Sequence, residues 1–281
     1  MAKITEDEFI RFVEKMPAFP QSVHKILQLA ADPKASTKDI VAVIESDPVM
    51  AVKILKVVNS AFYSLPREVL SIQRALVFLG ILSLKNLALS VAAIGMLNPE
   101  NAAEFDINKF LEHSLVTAVL AKKLAMHVGI SMIESSDYFI AGLLHDFGKI
   151  VFAEFMPHEF NQALIDSKEH NISLHQAELE HIGLSHDKAG QLLVSKWALS
   201  DTLANAINWH HGSKQDSCLA DCIFAANQIA KKYKIGDGGN AVINDFPEHV
   251  YARFSMTLDE LIVELGDISE INSEVQQFIG A

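Results

Sequence analysis

The 281-residue chain predicts an all-α protein of more than ten helices. Three observations carry this. Apolar residues recur at three- and four-residue spacing through almost every segment, strand-like alternation is scarce, and capping residues stand where the apolar runs begin. Half the residues are hydrophobic and 21% are charged, a globular composition with length enough for a core that needs no disulfide.

The opening MAKITEDEFIRF is polar and acidic, unlike a signal peptide. FPQSVHKILQLAAD (19–32) places Val23, Ile26, Leu27 and Ala30 at helical spacing. Ser36 with Asp39 reads as a capping box for a helix over 36–46. Asp47 at a cap and Pro48 in the first turn start a helix over 47–63, which runs into the polar pair Asn59–Ser60. Residues 75–97 carry one charge, Lys85, and would span a bilayer by length. Ser83, Lys85, Asn86 and Ser90 fall at the centre, where polar groups cost most, and Gly80 offers a break, so two short buried helices and no membrane are expected. A soft boundary at 97–106, with Pro99, divides an N-terminal helical part (1–100) from a core with C-terminal helices (101–281). Further helices are expected over 107–129, 137–155, 159–169, 185–199, 200–212, 219–233, 257–266 and 273–280, with Ser200 as a cap, Gly212 just past a helix end and GDGGN (236–240) as a turn.

Residues 1–100 hold eleven Lys and Arg against ten Asp and Glu; residues 101–281 hold twelve against twenty-five. A chain of net charge −12, with an acidic body over 101–281, argues against nucleic acid as a partner, because phosphate neutralisation needs a basic surface. It suits divalent cations. Cys218 and Cys222, four apart on one helix face, are expected to be reduced core residues, consistent with a cytoplasmic chain.

Within LLHDFGKIV (143–151), His145 and Asp146 interrupt an otherwise apolar run. His113 aligns with Phe110, Val116, Thr117, Leu120 and Leu124, and His186 with Gly190 and Leu193. His210 aligns with Leu203, Ala206 and Ile207, His211 with Ala204 and Ile207, and Asn227 with Ile223, Phe224 and Ala230. Buried ionisable groups cost several kcal/mol unless paired, so these should find one another, water or a metal. His and carboxylate clusters suit Fe, Mn, Zn or Ni, and two such ions can generate hydroxide for attack on phosphorus. Lys149 could then hold a phosphate oxygen. The competing reading is that each is a hydrogen-bonded core histidine, with His210 and His211 satisfying a helix C-terminus. His24, His127, His158, His170, His175, His181 and His249 lack such company and are assigned to surface, caps or core.

The order His113, His145–Asp146, His186, His210–His211 resembles the HD superfamily of metal-dependent phosphohydrolases, as arranged in its HD-GYP branch. MPAFPQSVHKIL, SDPVMAVKILKVVNSAFYS and SIQRALVFLGILSLKNLALS resemble the HDOD (HD-related output) domain, and GLSHDKAGQLLVSKWALSDTLANAINWHHG fits the same family; the likeness covers about 15–235. The chain departs from the active relatives in three ways. No G-Y-P loop follows the paired histidines, Asn227 stands where the resemblance implies a ligand Asp, and Lys109 stands where it implies a Glu. Asp221 sits about 120° off the Asn227 face.

The resemblance therefore implies a non-catalytic output or scaffold module on a degenerate hydrolase site, with no cofactor expected. It also implies signalling proteins as partners through the N-terminal helices, where Asp47, Pro48, Asn59 and Ser60 are motif positions whose role could be structural. The alternative is an active metal-dependent phosphohydrolase on a nucleotide or cyclic dinucleotide, with a nucleotide in the cleft, a divalent Fe, Mn, Zn or Ni at the histidines, and Lys149 as its catalytic cation. A helix–turn–helix reading of 36–63 offers DNA only Lys53 and Lys56 on its second helix.

Overall fold

The computed structural model describes residues 4–32, 34–59, 65, 67–98, 100–132, 134–212, 216–268, 271–272 and 275–276. Among them are fifteen α-helices and no strand. They form two compact units, Met1–Pro17 with Asn98–Ile268, and Ala18–Leu97 with Ser269–Ala281.

The first helix, α1 (Glu6–Lys15), is closed by a Thr5/Glu8 capping box. It belongs with the C-terminal elements rather than with the rest of 1–100. Phe9 meets Phe152 edge-on at 5.5 Å and Phe12 stacks on Phe155 at 5.4 Å. Lys196 Nζ donates to the carbonyls of Val13, Glu14 and Met16 (2.8, 2.7 and 2.6 Å), neutralising the negative end of the helix. These anchors draw the N-terminus across the boundary that polarity marks near residue 100.

The smaller unit contains α2 (Gln21–Ala31), α3 (Thr37–Glu45), α4 (Pro48–Val58) and α5 (Ile72–Ile94). The Ser36/Asp39 capping box forms as the spacing predicts. Asp47 Oδ1 accepts from Met50 N at 3.1 Å and Oδ2 accepts from Ser22 Oγ at 2.7 Å, with Pro48 in the first turn. Asn59 Nδ2 donates to the carbonyls of Leu55 and Val69 while its Oδ1 accepts from Val69 N. These motif positions therefore cap and tie α4; Ser60 lies outside the described residues. Among the described residues α5 alone is long and apolar enough to cross a membrane by length and composition. Gly80, at φ 75°, breaks it, and Leu84, Leu87, Ala88 and Leu89 beyond the break are buried.

The larger unit continues with α6 (Ile107–His127), α7 (Ser135–Leu144), α8 (Gly148–Phe155), α9 (Pro157–His170), α10 (Leu174–His181), α11 (His186–Lys196), α12 (Asp201–Trp209), α13 (Cys218–Lys232), α14 (Glu248–Phe254) and α15 (Leu258–Leu265). α1, α10 and α14 lie outside the helices that the periodicity predicts. The single helix expected over 137–155 is two, α7 and α8, separated by His145–Phe147. There Phe147 N, Lys149 N and Ile150 N each bond to the carbonyl three residues back, so the backbone tightens at the HD pair. The last short helix expected, 273–280, falls largely outside the described residues. Cys218 and Cys222 are both free thiols, and only Cys222 is fully buried.

Candidate metal centre

Close approach of backbones brings the histidines together. α7 runs beside α6 with Gly142 against Ala118, where a β-carbon would lie 2.6 Å from Ala118 Cα. This sets the His113 and His145 rings 5.6 Å apart. Gly148 likewise seats α8 against the first turn of α11, which carries His186. α12 ends at His210 and His211.

Asp146 stands at the centre. Its Oδ1 lies 3.1 Å from His186 Nε2 and 3.5 Å from His210 Nε2. Its Oδ2 lies 3.2 Å from His145 Nε2, 3.8 Å from His113 Nε2 and 2.6 Å from Lys149 Nζ. His211 Nε2 lies 2.7 Å from His186 Nε2. The residues predicted as one set thus share one site, except Asn227. That residue is buried on α13, which packs along α6, with an Oδ1 that has no partner. Asp221 faces away and pairs with Arg253 at 3.0 Å.

The ring orientations are fixed from behind. His145 Nδ1 lies 2.7 Å from Gly142 O and His210 Nδ1 lies 2.6 Å from Ile207 O, so each Nδ1–H donates backward and Nε2 keeps its lone pair. The Nε2 atoms of His113, His145 and His210 and the Oδ1 of Asp146 are buried without a hydrogen-bond partner. Lone pairs facing a carboxylate repel unless a proton or cation lies between them, so this donor set fits a divalent metal.

Two residues absent from the sequence reading complete the surroundings. Glu178 Oε2 accepts from His186 Nδ1 at 2.5 Å and from His186 N at 2.8 Å. It lies on α10, four residues after the buried Leu174, and a Glu on an apolar face is the signal that would have found it. Lys231 follows Asn227 by four on α13. It lines a cavity of about 390 Å³ beside His113, together with Lys109, Glu112 and Lys234. GDGGN also does more than turn the chain: Lys149 Nζ donates to Gly238 O at 2.7 Å, so this loop covers the cluster.

Burial dominates the electrostatics. It lowers His113 to about 3 and His210 to about 4, and holds His211 well below the usual histidine range. Burial also opposes the charge on His186, but Glu178 and Asp146 outweigh it and raise the imidazole to about 9. For Asp146 burial favours the neutral acid, yet the electrostatic pull of His145 and Lys149 outweighs it and holds the carboxyl well below its ordinary value. Glu178→Gln should loosen His186 and weaken divalent-metal binding by about 10–100-fold, measured by calorimetric titration; unchanged affinity would exclude this supporting role.

A sequence profile of the HDOD domain matches residues 16–213. The chain belongs to the HDOD family. An uncharacterized protein of Treponema pallidum (strain Nichols) is 28% identical over 199 residues, 71% of this HDOD chain and 38% of that protein, so this chain spans well under half of that relative. Among solved structures, an HDOD domain protein of unknown function from Geobacter sulfurreducens aligns over 98% of this chain and 99% of its own, at 22% identity and a TM-score of 0.81. A provisionally assigned phosphohydrolase from Shewanella amazonensis SB2B aligns over 96% and 97%, at 22% identity and a TM-score of 0.76. At these identities the structures share the helical HDOD fold with this chain.

Proposed function

We propose that this HDOD chain is a signalling output module whose buried His/Asp cluster holds a divalent cation without turning over a phosphodiester. The observation that carries the reading is the convergence of buried, unpartnered ligand atoms on His113, His145, His210 and Asp146. His186 and His211 complete the set, and the cation is one of Fe, Mn, Zn or Ni.

Two features support holding over turnover. His113, His145, Asp146, His186 and His210 are at most 2% exposed, which leaves little access for the water and phosphate of a hydrolysis. Asp146 is the one carboxylate among the converging Nε2 atoms, and Lys149 already claims one of its oxygens. The amide of Asn227 adds no charge.

The cavity beside His113 suits a phosphate-bearing ligand such as a nucleotide. Lys231 has no carboxylate within ion-pair distance among the described residues, and burial, then the nearby charge of Lys149, lowers it to about 8. An uncompensated cation there favours an anion. Partners in this reading are signalling proteins met through the smaller unit, which exposes Val49, Val52, Leu70 and Val77.

The test is metal content by mass spectrometry, on untagged protein purified without chelator, beside the His145→Ala/Asp146→Ala variant. One or two equivalents lost in the variant are expected, with hydrolysis of bis(p-nitrophenyl) phosphate no faster than in buffer containing the same metal. Absence of metal from both samples would overturn the metal centre. Turnover that disappears in the variant would overturn the non-catalytic part and make the chain a phosphohydrolase.

A further inference from the structure

Beside the ring of side chains around Asp146 lies a second group, which adds His175 and Asp187 to His211. His175 on α10, Asp187 in the first turn of α11 and His211 after α12 bring one ligand atom each within 4.8 Å of one another. His175 Nδ1 and Asp187 Oδ1 are 3.1 Å apart. Ligands at about 2.0–2.1 Å from a tetrahedral zinc lie roughly 3.3 Å from each other, so this separation is close to one edge of a coordination tetrahedron. The His175 and His211 ring centres are 4.8 Å apart.

An ion pair accounts for the approach of His175 and Asp187 but not for His211 beside them. His175 Nδ1 and Asp187 Oδ1 lie at ion-pair distance, and both are buried atoms with no other hydrogen-bond partner. The favourable placement of an acid in the first turn of α11 explains why an Asp is tolerated there, but not why His175 and His211 flank it. The Asp187 side chain is 10% exposed and that of His175 29%, so the group borders solvent and leaves a fourth position for water.

We propose that His175, Asp187 and His211 form a second divalent-cation site, of two imidazoles and one carboxylate, at the solvent-facing edge of the cluster. Zinc suits the donor set and the separation. The site uses neither Asp146 nor His145 and shares one residue, His211, with the inner set. Through His211, which faces His186, occupancy at the edge bears on the inner ring.

Cobalt(II) titration of the full-length, chelator-stripped chain tests this, read by calorimetry and by visible absorption of the bound ion. Wild type is expected to take one equivalent that binds at least tenfold more weakly in His175→Ala and in Asp187→Asn, with an altered visible band. Asp146→Asn is expected to keep that equivalent while losing the inner one. His175 is partly exposed, so His175→Ala is the deciding variant if Asp187→Asn melts early by circular dichroism. Equal stoichiometry and affinity in wild type and His175→Ala would overturn the outer site and leave the inner reading intact. Loss of all cobalt in Asp146→Asn would also overturn the outer site, since every equivalent would then belong to the inner ring. An equivalent lost in His175→Ala from a protein whose binding is indifferent to Asp146→Asn would support the outer site and remove the inner one.

Discussion

Gly148→Ala is expected to unfold the larger unit or to lower its melting temperature by roughly 10 °C or more. A β-carbon at this position would lie 1.9 Å from His186 O, 2.6 Å from Gly190 N and 2.8 Å from His186 C. All three atoms are backbone, so no side-chain rotation relieves the overlap, and α8 must move away from α11 by over an ångström. That places the cost at the upper end for single substitutions, about 4 kcal/mol or more. The same movement would pull Asp146 from His186, so metal binding should fail together with the fold. Gly95→Ala makes the contrast: its β-carbon would meet two carbonyl oxygens at 3.3 and 3.4 Å and the flexible Lys53 Nζ at 3.7 Å, with an expected effect of about 1 kcal/mol or less. A thermal melt of Gly148→Ala within a few degrees of wild type would show that α8 and α11 do not need this contact.

The chelator-treated protein is expected to lose several kcal/mol of stability between pH 6.5 and pH 4. His113 and His210 are held near 3 and 4 in the fold by burial, against 6.5 as the ordinary value. Below pH 6.5 the unfolded chain takes up protons at these positions that the folded chain refuses. Their contribution is therefore complete above pH 6.5 and is lost as pH falls toward the folded values. Asp146, held low, adds a further loss below its ordinary value near 3.8. His186 acts with the opposite sign. Raised to about 9, it contributes fully below pH 6.5 and loses that contribution as pH climbs through 9. Stability should thus peak near neutrality and fall more steeply on the acid side. Thermal melts at pH 8, 6.5, 5 and 4 measure it, and His113→Leu should flatten the acid slope. A melting temperature constant from pH 7 to 4.5 would mean that these imidazoles are not held neutral by burial.

The HD pair illustrates how far periodicity reaches. Apolar alignment placed His113, His186 and His210 inward, and they are inward, because each shares a helix face with residues that must be buried. The same logic ran one helix through 137–155, since nothing in the local pattern announces a turn at His145–Phe147. The turn exists because Gly148 has to meet α11, forty residues away, and a contact of that range leaves no periodic trace. α10 was missed for a related reason. Its sequence is mostly Glu, Gln and His, and it becomes a helix by docking Leu174 and Ala177 against the core. With it went Glu178 and His175, the partners that orient His186 and flank Asp187.

The sequence by itself determined the helical class, the caps at Ser36, Asp47 and Ser200, the break at Gly80 and the membership of one histidine set, because these follow from nearest-neighbour sterics and from which face an apolar core accepts. Tertiary structure alone decided that α1 joins the C-terminal elements, that Asp146 sits between four imidazoles and a lysine, that the 236–240 loop covers them, and that Asn227 contributes an unpartnered amide rather than a contact to Asp146. Those outcomes depend on contacts between groups that the chain brings together from different helices and loops, set by how closely whole helices can approach.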